Sequence, residues 1–295
     1  MRFQLPFILL GFLFTALPLA AQQDYAPDRP GKTIPTTIVP EGSVAFEAGF
    51  SWTRAEFTPR APERFQSEAA IYRHDIWLLP AGLMRIGLGE HFELRLSSTH
   101  TRWLWEYDPD YFDGDNVDDP WLEGNDPGVT PLHVSVKSAL LSERGWLPNA
   151  AMVAGLSIPL TGTPAYQVTY LAPDFALAFS HTLSSIVSLG YHVGVRWDGE
   201  IVNPVGYYAA SLGVGLTDDV SLFIEAFGDL PGYAPPQHAV DGGIAWNASG
   251  DLYVDAAFGL GVTDPEETST NPRWLSMYAM DYFAELGVSW RLRLW

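Results

Sequence analysis

The stretch that decides the fold is the end of the chain, Glu285–Trp295, with the sequence ELGVSWRLRLW. It alternates strictly, with Leu286, Val288, Trp290, Leu292 and Leu294 on one face and Glu285, Gly287, Ser289, Arg291 and Arg293 on the other. A period of two is typical of a β-strand, whose successive side chains point to opposite faces. One apolar face and one polar face, continued to a terminal Trp, predict a strand between lipid and the lumen of a transmembrane barrel.

The same alternation recurs along the chain in runs separated by Gly, Pro, Asn, Asp and Ser. In Val44–Trp52, for example, Phe46 and Phe50 oppose Glu47 and Ser51. Twelve such runs are predicted, at 43–53, 68–86, 91–104, 131–141, 149–160, 173–183, 186–197, 206–216, 220–229, 238–247, 251–262 and 279–294. Pro80 falls inside the second run, where it predicts a bulge or a break.

Short and long connections alternate between these runs, as expected for short periplasmic turns and longer outer loops. Backbone groups left unpaired in hydrocarbon cost several kcal/mol each, so a sheet in lipid must close. We therefore predict an all-β fold, a membrane-spanning antiparallel up-and-down β-barrel of about 12 strands, in the cell outer membrane. Both chain ends are then periplasmic.

The first residues predict export. Arg2 precedes an apolar stretch from Leu5 to Leu19, and small residues at Ala20-Ala21 precede a polar sequence. This is the layout of a secretory signal, so we expect a signal peptide at 1–21. A single membrane-spanning helix is the alternative, but the stretch is short and contains Pro6 and Pro18. The chain then divides into a periplasmic N-terminal segment, 22–42, and the barrel, 43–295.

Composition narrows the classes of partner. The net charge of −19 argues against binding to nucleic acid. The chain has no cysteine, which excludes disulfides, thiolate catalysis and a cysteine-linked lipid anchor. We expect contact with outer-membrane lipid, recognition of the C-terminal strand by the barrel-assembly machinery, and no cofactor.

The alternation of side chains along each predicted strand indicates which charged residues line the lumen. The acidic candidates are Glu47, Asp75, Glu93, Glu225, Asp241, Asp255 and Glu285, and the basic candidates are Arg73, Arg85, Arg95, Lys137, Arg196, Arg291 and Arg293. Seven acids facing seven bases would either brace a narrow barrel with ion pairs or form a polar conduit. Twelve strands lie between the filled eight-stranded barrel and the open sixteen-stranded porin.

The loop 105–130 is strongly acidic and contains neither Lys nor Arg between Glu106 and Asp126. Its oxygen ligands make Asp113, Asp115 and Asp118 weak calcium candidates, although the spacing of an EF-hand is absent. A solvated acidic loop, or one folded inward over the pore, is the alternative.

No nucleophile or metal-ligand motif surrounds the seven histidines, and His100 with Ser97 or Ser98 is the nearest approach to a catalytic pair. We therefore expect no enzymatic activity. A lipase- or protease-like barrel enzyme remains the alternative class, together with a plugged structural or adhesive barrel.

Several motifs resemble a known family. They include Asp28-Arg29-Pro30-Gly31, Phe46-Glu47-Ala48-Gly49, Glu143-Arg144-Gly145-Trp146-Leu147-Pro148, Gly155–Gly162, His238–Gly243 and the closing Gly287–Leu292. Together these are similar to the outer-membrane transporters associated with the meta-pathway of phenol degradation. The resemblance covers nearly all of the mature chain, although the chain continues past the family's usual aromatic end to Arg293-Leu294-Trp295.

The resemblance implies an outer-membrane barrel with a transport role and brings no catalytic motif. We expect passive movement of a small-molecule solute, with small hydrophobic or aromatic compounds as the class that the family suggests.

Overall fold

The structure is a computed structural model that describes residues 25–57, 72–107, 122–232, 236–263 and 280–294. Within these ranges all regular secondary structure is β. The strands are β1 (Ser43–Phe57), β2 (Tyr72–Gly87), β3 (Phe92–Tyr107), β4 (Leu122–Val129), β5 (His133–Leu141), β6 (Asn149–Ser157), β7 (Ala172–Thr182), β8 (Val187–Arg196), β9 (Val205–Gly215), β10 (Val220–Pro231), β11 (Gln237–Asn247), β12 (Leu252–Gly261) and β13 (Tyr282–Arg293). The described ranges include no helix long and apolar enough to cross a membrane.

The strands close into an antiparallel barrel. β1 pairs with the last strand, β13, from Ser43↔Arg293 to Arg54↔Tyr282, and with β2 on its other side. The remaining strands follow in chain order back to β3, which pairs with β2 and so completes the circle. The predicted closed up-and-down barrel is confirmed.

One strand was not predicted. β3 pairs with β5 through its first half, Phe92–Ser97, and with β4 through its second half, His100–Tyr107. The barrel therefore has twelve positions and one extra strand, β4, which extends the hairpin at one end. The prediction that 105–130 is a loop throughout is wrong at both of its ends, because Asp and Gly residues that favour a turn are here paired across an extended hairpin.

The alternation predicted for the first and last strands is confirmed. Phe46 and Phe50 are 45% and 48% exposed, whereas Glu47 between them is only 3% exposed. On β13, Trp290 is half exposed and Ser289 is fully buried. A continuous exposed apolar surface would promote aggregation of a soluble protein, whereas around a closed barrel it is the face that contacts lipid.

A bulge on β2 reverses the alternation halfway along that strand. Between Gly49↔Ala81 and Ser51↔Leu78, β2 contains one residue more than β1. The bulge includes Pro80, so the prediction made from this proline is confirmed. A proline cannot donate to the ladder, and a bulge is where a strand tolerates one.

The bulge corrects two lumen assignments. Above it, His74 is 1% exposed and points inward, so its neighbours Arg73 and Asp75 lie on the outer face. There Arg73 bonds to Glu56 at 2.7 Å and Asp75 forms an ion pair with Arg54 at 3.5 Å. Counting alternate residues from Arg85 places both side chains in the lumen. The extra residue in the bulge moves every side chain beyond it to the other face, and this count does not include that change.

The two rims of the barrel differ. One rim, which we call the turn end, carries the connections 88–91, 142–148, 183–186, 216–219 and 248–251 together with the start of β1 and the end of β13. The other rim, the loop end, carries the longer connections, several of which lie outside the described residues. The predicted signal peptide at 1–21 and Trp295 also lie outside them.

Candidate functional site

Residues 25–42, which we call the inner segment, lie inside the barrel. They bond to inward-facing residues of β1, β2, β3, β7, β8, β10, β12 and β13. Since these strands stand on all sides of the lumen, the segment must lie within it. The expectation that 22–42 lies outside the barrel therefore differs from the structure in its described part, because the lumen offers this polar segment the hydrogen-bond partners that it lacks.

From Arg29 onward the inner segment makes one circuit of the inner wall. It contacts, in order, Asp255 and Leu286 through Arg29, Glu225 through Lys32 and Thr33, His192 through Ile34, Ser180 through Thr36, Glu93 through Val39, and Gly87 through Pro40. The partners belong to successive positions around the barrel. An extended segment without sheet partners must satisfy its backbone N–H groups by other means, and here wall side chains accept them.

Arg85 is the centre of a group of charged side chains where the inner segment meets β1, β2 and β3. Its guanidinium is fully buried and lies 2.9 Å from Asp28 of the segment, 3.0 Å from Glu47 and 2.9 Å from Glu93. The three carboxylates accept hydrogen bonds from the planar guanidinium and balance its charge in a site that excludes water. Removing one partner of such a buried pair typically costs about 3–5 kcal/mol.

Two more cations complete this region, which we call the Asp28 cluster. Arg95 bonds to both Asp28 and Glu93, and the buried Lys137 ammonium lies 3.5 Å from Asp28. Burial on its own raises the pKa of Asp28, but Arg85, Arg95 and Lys137 outweigh it and hold that pKa well below its usual range. The segment thus contributes the anion that balances three cations against three anions.

Arg29 reaches across the seam between β1 and β13 to the adjoining wall. Its Nη2 lies 3.2 Å from Asp255 and 3.8 Å from Glu285. The side chain passes directly over Gly49 and Gly287, where an added Cβ would lie only 2.1 Å from guanidinium atoms. Glycine is therefore required at these two positions for the close approach of Arg29.

Glu225 holds the turn that follows. Its two oxygens accept the backbone N–H groups of Lys32 and Thr33 at 2.5 and 2.6 Å. Gly31, with a φ of +89°, allows the left-handed turn that brings both groups to one carboxylate. Backbone N–H groups converging on an anion form a compact and specific contact.

The inward charges of the wall are unevenly distributed. Four carboxylates occupy β10–β13, and we call them the acidic wall: Glu225, Asp241, Asp255 and Glu285. The inner segment sets Arg29 and Lys32 against this wall and Asp28 against the cations of β2, β3 and β5. Its charges are thus complementary to both groups of wall residues.

The remaining predicted lumen residues lie toward the two rims. Arg196 bonds to Asp229 at 2.7 Å near the loop end, while Arg291 and Arg293 lie 2.5 and 3.5 Å from Asp251 at the turn end. Twelve of the fourteen predicted residues therefore have inward positions, and nine of them join the Asp28 cluster or the acidic wall.

A cavity of about 670 Å³ remains between the inner segment and the inner wall of β7–β12. It reaches the turn end and is lined largely by small polar side chains, among them Thr33, Thr36, Ser180, Ser188, Ser211 and Ser221. The segment therefore narrows the lumen and leaves a polar space beside itself.

One histidine has neighbours that the sequence did not indicate. His133 Nδ1 lies 3.1 Å from Ser157 Oγ, and its Nε2 lies 3.1 Å from Asp174. Hydrolysis would also need donors for an oxyanion. The adjacent Ile158 N–H is already bonded to the Leu132 carbonyl, so it is not free to stabilise an oxyanion.

The calcium candidates Asp113, Asp115 and Asp118 lie outside the described residues. Among the residues that are described, no group of three or more His, Asp or Glu side chains is arranged to hold a metal ion.

Sequence reasoning missed the functional residues of the inner segment, above all Asp28, Arg29 and Lys32. A signal was present, since three charged residues surround the Pro30-Gly31 turn directly before the first strand. Nothing local to that turn, however, indicates partners that lie more than 190 residues away along the chain.

Comparison with known proteins identifies the family. Residues 27–276 match the family described as "Putative MetA-pathway of phenol degradation". The chain belongs to this family. The match begins at residue 27 and so includes most of the inner segment. No curated protein sequence is significantly similar to the chain.

One solved structure shares the fold, and two others are less similar. The COG4313 outer membrane channel from Pseudomonas putida F1 has a TM-score of 0.58 at 10% identity, over 86% of this chain and 97% of that one. The NanC porin has a TM-score of 0.45 at 6% identity, over 84% and 100% of the two chains. The translocator domain of the autotransporter NalP from Neisseria meningitidis has a TM-score of 0.47 at 10% identity, over 85% and 88%. The family member described here is an outer-membrane β-barrel.

Proposed function

We propose that the protein is a channel that lets small apolar or aromatic solutes cross the outer membrane passively, and that the inner segment sets its width. The observation that carries this proposal is how the segment is held. Its contacts with the wall are ion pairs and hydrogen bonds, with only a small apolar cluster of Tyr25, Val39 and Ala45 against Tyr253. Contacts of this kind can be exchanged for contacts with water when the segment moves, which a packed apolar core cannot do.

Two comparisons support transport. The family description refers to phenol degradation, and the first solved structure is named an outer membrane channel. Twelve strands lie between the filled eight-stranded barrel and the open porin, and the cavity of about 670 Å³ beside the segment offers a small solute a way out at the turn end, which then faces the periplasm. Nothing in this route needs an energy source.

A reversible lock tests the proposal. Thr36 Oγ1 lies 2.8 Å from Ser180 Oγ, and the chain contains no cysteine. The double variant Thr36→Cys/Ser180→Cys should form a disulfide that ties the segment to β7. We expect solute flux into liposomes to fall on oxidation and to recover on reduction, with the two single-cysteine variants unaffected by either treatment.

Two outcomes would contradict the proposal. Equal flux through locked and unlocked barrels would show that the segment does not control passage. A folded wild-type barrel that supports neither conductance nor liposome flux of any small solute would favour the structural or adhesive alternative.

An enzyme is the competing class, and the specific observation in its favour is the contact of His133 with Ser157 and Asp174. The groups lie inside the wall near the loop end, where a substrate would have to enter the lumen. We favour the channel because the backbone N–H of Ile158, next to Ser157, is already bonded to the Leu132 carbonyl.

A further inference from the structure

The ammonium of Lys32 lies in a small compartment formed by Phe227, Phe283, Asp241 and Glu285, which we call the ammonium pocket. Its Nζ lies 5.1 Å from the centroid of the Phe283 ring and 6.0 Å from that of Phe227, and it donates a hydrogen bond to Glu285. Aromatic faces within about 6 Å of a cation attract it through the ring quadrupole. The pocket thus combines the two features that recognise an organic ammonium.

The walls of this pocket belong to the barrel and not to the inner segment. The two phenylalanine rings pack edge to face, with their centroids 5.9 Å apart. Phe283 is 1% exposed, and its ring occupies the space above Gly259, where an added Cβ would lie 2.2 Å from Cε1. Because the rings are fixed by the wall, the pocket persists when Lys32 leaves it.

Lys32 alone does not balance the charge around it. Asp241 is 7% exposed, and neither of its carboxylate oxygens has a hydrogen-bond partner among the described residues. It stands directly across the sheet from Glu225, whose oxygens already accept two backbone N–H groups. Lys32 Nζ bonds to Glu285, which Arg29 also approaches, and this leaves the Asp241 carboxylate without a partner among the described residues. A buried carboxylate without a partner is unfavourable.

We propose that the ammonium pocket binds a monocationic amine with a small apolar body, and that Lys32 is a tethered substitute for that ligand. A metal ion fits less well, because the aromatic rings occupy positions where it would need oxygen ligands. The idea that such an amine is the transported solute rests on the proposed function. The binding site does not, and it can be tested by measuring binding without measuring transport.

The test uses the full-length barrel in detergent, with Lys32→Ala to empty the pocket. Butylammonium is titrated by calorimetry, with butanol and butyrate as the neutral and anionic compounds of matched size. We expect Lys32→Ala to bind butylammonium at least about tenfold more tightly than the wild type, a difference of about 1.4 kcal/mol, and to bind neither control. Adding Asp241→Asn or Glu285→Gln should remove this gain.

Folding is checked by heat-modifiable migration in gels, and Lys32→Met, which keeps the apolar stem, replaces Lys32→Ala should the latter misfold. Equal affinity for butylammonium in Lys32→Ala and in its Asp241→Asn derivative would overturn the proposal, as would the absence of binding to a folded Lys32→Ala barrel. If butylammonium binds but no small solute enters liposomes, the ammonium pocket is supported and the channel proposal is overturned. If solutes enter liposomes but butylammonium does not bind, the channel is supported and the ammonium pocket is overturned.

Discussion

Asp28 of the inner segment and Arg85 of β2 form an ion pair of 2.9 Å in which the guanidinium is fully buried. This contact joins a segment that precedes the barrel to a strand in its wall. Because Arg85 also contacts Glu47 and Glu93, it stays paired when the segment leaves. Asp28 therefore depends on the wall for its partners, whereas Arg85 has two further partners within the wall.

The first prediction concerns this pair. Asp28→Asn keeps the shape of the side chain and removes its charge, so docking should weaken by about 3–5 kcal/mol, the usual cost of removing one partner of a buried ion pair. The readout is the rate at which maleimide labels Thr36→Cys, a residue only 7% exposed when docked. We expect labelling to accelerate at least tenfold. Glu56→Gln, on the outer face, is the matched control, and equal acceleration by both changes would contradict the role of Asp28.

The second prediction concerns the glycines beneath Arg29. Gly49→Ala and Gly287→Ala each place a methyl group where the guanidinium lies. Since Arg29 is flexible, it should move away and lose its contact with Asp255 while the barrel stays folded. We expect faster labelling of Thr36→Cys in both variants. Gly89→Ala is the control, because nothing lies within 4 Å of its added methyl group; no difference from this control would show that the approach is not required.

The third prediction separates inward from outward charges. Arg95→Gln should shift the ion selectivity of the reconstituted channel toward cations, because it removes a positive charge beside the lumen. Arg73→Gln should leave selectivity unchanged, because the bulge places Arg73 on the outer face, where it pairs with Glu56. Reversal potentials in a salt gradient measure both. A shift with Arg73→Gln would restore the assignment of Arg73 to the lumen.

The fourth prediction concerns Pro80. Pro80→Ala keeps the number of residues in the bulge and should fold with nearly normal stability. Deleting Pro80 removes the extra residue, which would turn the buried His74 outward and Arg73 inward. We expect this deletion to abolish the folded, heat-modifiable form. A folded barrel after the deletion would mean that β2 shifts register without a penalty.

The fifth prediction concerns the enzyme alternative. If Ser157 has no catalytic role, a fluorophosphonate probe should not label the folded barrel, and Ser157→Ala should leave solute flux unchanged. Covalent labelling of the wild type that is absent from Ser157→Ala would favour the hydrolase.

The parts of the fold that could be predicted are those that follow from local alternation. Phe46, Glu47 and Phe50 reveal their faces within one strand, and the seam of β1 with β13 follows from closure. Arg73 was misassigned because the bulge that changes its face is visible in sequence only as one proline. β4 was missed because Gly124, Asp126 and Pro127 favour turns, whereas pairing with β3 holds them extended.

The inner segment could not be predicted for a different reason. Its partners are single side chains on many strands, such as Glu225 and Glu93, and no periodic pattern relates them to Lys32 or Val39. Sequence identified most of these wall residues as inward-facing charges. It gave no indication that the ligand they hold is the chain's own N-terminal region.

The docking of Arg29 has a consequence for the order of assembly. Its glycine platform consists of Gly49 on β1 and Gly287 on β13, which stand directly opposite each other at the seam where the first and last strands meet. Before that seam closes, the platform does not exist and the segment has no complete place to bind. The contact of Arg29 with this platform therefore stabilises the closed barrel and not its open precursors, so Arg29 docks only after the first and last strands have met.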